Sequence, residues 1–286
     1  MFAIIGIVVV IGAIIGGYLM EHGKLLVLMQ PAELVIIGGA ALGTLFIANP
    51  LATIMDIFKS ILSIIGGSKF TSSYYLEQLK MLHELFAHAR KNGLVKLESD
   101  VDDPDKSTIF SKYPDFLRNE HAVHFVCDTM RMAINGGVVH FDLDQMMEAD
   151  MDVHHSEKSA VVSALSTVGD ALPGLGIVAA VLGVVITMGA LGGPPEEIGH
   201  KVAAALVGTF LGILLCYGFV GPMASNITKI NDAEHQYYNF LRVGVMAFIK
   251  GSAPIISVEF ARRVIPAHAR PGYSEMEKTC KRGGGA

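Results

Sequence analysis

Ala171-Leu172-Pro173-Gly174-Leu175-Gly176-Ile177-Val178-Ala179-Ala180-Val181-Leu182-Gly183 opens a run, residues 171–195, that contains no Asp, Glu, Lys or Arg. About 20 apolar residues are enough for a helix to cross the hydrocarbon core of a bilayer. A helix satisfies its own backbone polar groups in lipid, so the run reads as a spanning helix rather than a buried strand. Residues 1–20, 34–55 and 202–228 are equally free of charged side chains. The expected fold is an all-α membrane protein: four transmembrane helices, with a helical cytoplasmic domain between spans two and three.

Composition agrees. The 286 residues are 51% hydrophobic and 17% charged, with a mean hydropathy of +0.47, whereas soluble domains carry about a quarter charged residues. An ordinary cytosolic enzyme is excluded, and the abundance of Ile, Val and Leu excludes disorder. Cys127, Cys216 and Cys280, widely spaced and without a CxxC pair, build neither a disulfide scaffold nor a metal ribbon. A net charge of -5 supplies no basic field, so nucleic acid is not an expected partner. The first apolar run has no basic segment before it and no A-x-A-like site after it, and it reads as a retained helix rather than a signal peptide.

Basic residues set the topology. Residues 50–170 hold 11 Lys and Arg and residues 223–286 hold 9, which leaves Lys24 and Lys201 for the two short connections. Near the span ends, Lys59, Lys69, Lys158, Lys229 and Arg242 outnumber those two, so both termini and the large insertion are expected to be cytoplasmic. The expected domains are residues 1–50 (two spans and a short outer loop), 51–170 (cytoplasmic), 171–228 (two spans) and 229–286 (cytoplasmic tail). Small residues four apart, Gly12 with Gly16, Gly39 with Gly43 and Gly208 with Gly212, are expected at close helix contacts.

The insertion has helical grammar. Thr71-Ser72-Ser73 predicts the cap of a helix carrying Leu76, Leu79, Leu82 and Phe86 on one face and ending at Asn92-Gly93. Residues 100–105, with Pro104, read as a turn, and a second helix runs from about Asn119 to Gly136-Gly137. A third starts near Asp142 and is expected to continue into the third span, far longer than a usual globular helix. Residues 234–249 form a fourth, and Gly283-Gly284-Gly285 reads as a frayed end.

Catalytic and metal motifs fail on spacing. His83 and His88 lie five apart and so on different helix faces, unlike the two His of a zinc-protease helix. His121 with His124, and His154-His155 with Glu157, read as solvated groups before they read as ligands. Gly174-Leu175-Gly176 and Gly67-Ser68-Lys69 each lack the rest of a nucleotide motif, and no GxSxG or Cys/His nucleophile context occurs. No enzyme activity, catalytic residue or metal site is expected.

The spans are expected to hold no ionisable group at membrane depth, with Asp170 at the edge, so a proton-binding carboxylate has to come from elsewhere. Their polar atoms are Thr187 in the third span and Thr209, Cys216 and Tyr217 in the fourth, with Pro173 and Pro222 able to interrupt backbone bonding. Pro173, Ala180 and Thr187 share one helix face, as do Thr209, Cys216 and the nearby Tyr217. Two readings stand level: a weakly polar lining for another chain's acid, or hydroxyls bonded back to their own helix and prolines that only kink it.

The opening stretch with Val168-Gly169-Asp170 before it, Val207-Gly208-Thr209-Phe210-Leu211-Gly212-Ile213 and Tyr217-Gly218-Phe219 resemble the MotA-type flagellar stator subunits of the MotA/TolQ/ExbB proton-channel family. Gln30-Pro31-Ala32-Glu33-Leu34-Val35-Ile36, Ala253-Pro254 and Val258-Glu259-Phe260 extend the resemblance nearly end to end. It implies a chemotaxis and motility protein of the bacterial inner membrane, in a ring expected to be pentameric around a dimer of MotB. The single span of MotB brings the proton-binding Asp, and the cytoplasmic domain of the ring pushes the rotor protein FliG.

Carried over by position, Arg90 and Glu98 match the rotor-contact residues, and Pro173 and Pro222 match the prolines that couple ion passage to movement. Ala180, Thr209 and Tyr217 complete the implied ion pathway. Sodium-type relatives place Thr at the position of Ala180, where an apolar side chain removes a hard oxygen ligand, so protons are the expected coupling ion and no other cofactor is implied. TolQ- and ExbB-type subunits usually have three spans in a different order, and the insertion at 50–170 argues against them. A transporter acting alone would need its own ionisable groups at depth.

Overall fold

The computed structural model describes residues 2–67, 69–189 and 191–283, and among these no strand occurs. In chain order the helices are α1 (Phe2–Met20), α2 (Leu25–Leu28), α3 (Pro31–Ala48), α4 (Leu51–Gly66), α5 (Ser72–Asn92), α6 (Glu98–Asp102), α7 (Pro114–Leu117) and α8 (Glu120–Asn135). There follow α9 (His140–Met188), α10 (Pro195–Leu214), a π-helical segment (Leu215–Val220), α11 (Gly221–Ile249), α12 (Pro254–Val264) and α13 (Tyr273–Gly283). Four stretches are long and apolar enough to cross a membrane: α1, residues Leu25–Ala48, α9, and the continuous helical run Pro195–Ile249. The described residues divide into two compact units, one from Met1–Gly67 and Glu157–Lys229, the other from Ser68–Ser156 and Ile230–Ala286.

In the first unit the apolar run 34–55 does not form one helix. Pro50 has no N–H to continue the ladder and holds Asn49 extended (φ -134°, ψ 146°), so α3 stops at Ala48 and α4 starts at Leu51. The spanning helix instead begins earlier, at Pro31, or at Leu25 with α2 included. The helix α4 is amphipathic and buries Ile54, Ile57 and Ile64 in a cluster with Leu45, Val161, Leu165, Ala224 and Ile227. A second cluster joins Ile37, Ala41, Leu172, Ala179 and Cys216. Residues 51–66 and 157–170, expected within the cytoplasmic domain, thus pack with the spanning helices.

The second unit follows the expected helices closely. Thr71 Oγ1 accepts from the Tyr74 N–H at 3.3 Å, and Gly93 closes α5 at φ 90°, a left-handed value that glycine adopts freely. Asn119 Oδ1 caps α8 through the Ala122 N–H at 3.4 Å. The helix expected from Asp142 is α9, which is continuous from His140 through the third span, and the tail helix expected at 234–249 is the end of α11. The core is aromatic: Phe86 stacks on Phe248 with ring centroids 4.5 Å apart, and Tyr75 meets Phe240 edge to face at 5.3 Å. Two further tail helices, α12 and α13, close it, burying Val258, Ala261, Met276 and Cys280. Of the end expected to fray, Gly284 and Gly285 lie outside the described residues.

Candidate functional site

In the first unit α9 meets α10 through small residues seven apart. A Cβ placed on Gly176 would lie 2.8 Å from the Gly208 carbonyl oxygen and 3.1 Å from Gly212 Cα, and one on Gly183 would lie 2.7 Å from Ala205 Cβ. Backbone meets backbone here because no side chain intervenes. Gly208 and Gly212 therefore stand at a close helix contact as expected, whereas Gly12, Gly16, Gly39 and Gly43 have nothing within 4 Å of such a Cβ. The stripe Gly169, Gly176 and Gly183 was hidden by the pattern sought: its spacing is seven, not four.

Ala180 and Thr209 flank this seam. The Ala180 backbone nitrogen is 3.3 Å from the Cβ position of Gly208, and Thr209 Cα is 3.3 Å from that of Gly176. Both side chains are half-buried, and the Thr209 hydroxyl makes no hydrogen bond among the described residues. Thr187 differs: it is buried, and its Oγ1 donates to the Gly183 carbonyl at 2.8 Å, so here the hydroxyl bonds back to its own helix.

The prolines mark two irregular turns. Pro173 lies inside α9 and removes the bond that would reach the Gly169 carbonyl. Pro222 follows the π-helical segment, whose widened turn is closed by the Gly221 N–H donating five residues back to the Cys216 carbonyl. The wider turn also separates two residues expected on one face: Cys216 is buried while Tyr217 is 73% exposed. Five of the expected residues, Pro173, Ala180, Thr209, Tyr217 and Pro222, thus belong to this unit.

The expectation of no ionisable group at depth is corrected at Glu33. Because α3 begins at Pro31, Glu33 falls in its first turn, within the spanning stretch Leu25–Ala48, and it is 94% buried (6% exposed). Its Oε2 has no hydrogen-bond partner and sits where the missing side chain of Gly208 would be, 2.6 Å from that Cβ position. Sequence reasoning passed over it because it stands one residue outside the charge-free run. The signal was Pro31, a common first residue of a helix.

Arg90 and Glu98 belong to the second unit. Arg90 is in the last turn of α5 and Glu98 opens α6, after a 3₁₀ turn at Leu94–Leu97; both are exposed, and neither forms an ion pair among the described residues. The histidines are differently placed from a solvated array. His121 stacks on His154 with ring centroids 4.0 Å apart, and His155 lies 4.7 Å from His235. Burial, with His154 alongside, holds His121 below the usual imidazole range; Asp150 and Glu234 act the other way and more weakly. Among the described residues no group of three or more His, Cys, Asp or Glu is arranged to hold a metal ion.

Residues 4–93 match the family described as Motility protein A N-terminal, and residues 118–239 match the MotA/TolQ/ExbB proton channel family. Motility protein A of Salmonella typhimurium is 38% identical over 97% of this chain and 94% of its own length. Chemotaxis protein LafT of Vibrio parahaemolyticus is 31% identical, covering 96% of each. Among solved structures, C. jejuni MotAB matches 93% of this chain and 95% of that one with a TM-score of 0.76 at 17% identity, a likeness of fold.

Proposed function

The chain belongs to the MotA/TolQ/ExbB proton channel family, and from that premise we propose that it is a stator subunit of the bacterial flagellar motor in the inner membrane. The observation that carries the proposal is the 38% identity to a Motility protein A over 97% of the chain. Its spans, with those of MotB, form the proton channel, and its second unit turns ion flow into torque on the rotor.

The residues suggest how the work divides. The seam between α9 and α10 holds two helices at backbone distance, with Ala180 and the free Thr209 hydroxyl beside it. A carboxyl group of MotB, alternately charged and neutral, acts on this seam from outside the chain, and Thr209 bonds it or a water. The apolar side chain of Ala180 offers no oxygen to Na⁺, which supports protons as the coupling ion. The turns at Pro173 and Pro222 have backbone bonds to spare, so they bend as that charge changes. Arg90 and Glu98, exposed and uncommitted, suit a weak, electrostatically steered contact with FliG. We further propose a ring of five copies around a MotB dimer, with both termini on the cytoplasmic side, where the basic residues concentrate.

Expression of this chain with a cognate MotB in a cell lacking its own stators tests the proposal. Motility is expected with both chains and not with either alone. Absence of rotation with both chains present in the membrane would refute it.

A further inference from the structure

We propose that Glu33 is a proton-carrying group of the channel, a second acid that takes the proton on the outer side of the seam and passes it toward the carboxyl of MotB. The inference deepens the stator reading and rests on it. Four observations carry it. Glu33 is 94% buried (6% exposed) inside a spanning stretch. Its Oε2 is enclosed and has no hydrogen-bond partner, and no cation pairs with the side chain among the described residues. The oxygen occupies the notch left by Gly208, whose neighbour Thr209 lines the pathway. On the opposite wall of that notch stand Ala179 Cβ and the Ala180 backbone nitrogen, 3.1 and 3.3 Å from the same Cβ position.

A glutamate kept for packing would bond its oxygens to a helix end or a basic residue, because an unpaired buried polar atom is costly. This one is held open at the residues that line the pathway, and an ionisable side chain at membrane depth is by default a functional group. The step is a simple transfer. A proton from the outer water bonds to Oε2; on handover that O–H bond breaks as the O–H bond of the MotB carboxyl forms, directly or through water. Glu33 is left as the carboxylate that accepts the next proton. The elements around it carry few rival groups. On α10, Glu196, Glu197, His200 and Lys201 lie in the first two turns, with Lys201 paired to Glu197 at 2.9 Å, and on α9 Asp170 lies nine residues before Ala179.

The test uses the complete two-chain stator in cells lacking their own, with rotation followed on small and large beads across external pH. Proton delivery limits speed at low load and not near stall. Glu33→Gln is therefore expected to keep complex yield and near-stall torque while cutting low-load speed several-fold and changing its pH profile; Glu33→Asp should recover most of that speed. Wild-type low-load speed of Glu33→Gln at every pH would overturn the proposal. So would loss of the complex in both variants, which would make Glu33 a packing residue. If the unmodified chain assembles and yet turns nothing, the stator reading itself falls.

Discussion

Gly169 of α9 lies against Val220, the last residue of the π-helical segment, so closely that a Cβ on Gly169 would stand 3.0 Å from Val220 Cγ1. The carbonyl that Pro173 leaves without its helical donor is that of Gly169, and Pro222 follows two residues after Val220. One contact thus joins the two turns whose backbone bonding is incomplete. Gly169→Val is expected to wedge them apart, at roughly 1–3 kcal/mol for an overpacked site, and to reduce rotation with little loss of protein. Val220→Ala in the same chain should restore much of it. A double-mutant comparison of swimming speed at matched membrane levels checks the coupling.

Pro173→Ala returns a donor to the Gly169 carbonyl and is expected to straighten and stiffen α9. Complex yield should stay near wild type while tethered cells turn slowly or not at all. Normal rotation at wild-type abundance removes Pro173 from the mechanism, and lost complex makes its role structural.

The seam predicts a contrast between glycines. Gly176→Leu drives a side chain into the backbone at Gly208 and Gly212, so the spanning unit should fold poorly and membrane levels fall several-fold. Gly12→Leu meets no atom of this chain and should be tolerated by the folded subunit. Quantitative blotting of membrane fractions distinguishes the two.

Reversing Arg90 or Glu98 should weaken torque in a graded way without lowering abundance, since exposed charges contribute only about 0–1 kcal/mol each. A complementary reversal on the rotor should recover part of the loss. Disappearance of the protein from the membrane would assign these side chains to folding instead.

The stacked histidines predict acid sensitivity in the second unit. A pKa lowered on folding means that the unfolded chain binds more protons near and below pH 6.5. The stability His121 contributes is therefore full above that value and is lost as pH falls through its lowered one. Melting of the purified complex is expected to drop by a few degrees between pH 7.5 and 5.5, beyond the change in a His121→Gln variant, whose profile should be flatter. Equal slopes in both proteins would assign the acid sensitivity to other groups.

Charge-free runs and caps were enough to place the four spans, α5 and α8, because those signals are local. What escaped was set by single residues acting across space. Pro50 divides a run that looks uniform in hydropathy, and the π turn puts Cys216 and Tyr217 on different faces although both follow Thr209 at helical spacing. The helices α12 and α13 bury only a few apolar residues each, Val258 and Ala261 or Met276 and Cys280, so their pattern is short and depends on α5 as a partner. At the candidate site, Ala180, Thr209, Pro173 and Pro222 were named through resemblance to a family. The packing that makes them neighbours of Glu33 and Gly208 has no signature along the chain.

The π-helical segment acts as a phase shift. In an α-helix each residue advances about 100°, and the extra residue between Leu214 and Gly221 is absorbed in one wide turn rather than passed on. Removing one residue there would turn everything after it by about that angle, carrying Ala224 and Ile227 off the face that now packs on Ile54 and Ile57. Sequence at these six positions is therefore free to vary in a way that length is not, and a relative one residue shorter here must make up the missing rotation elsewhere in the same helix.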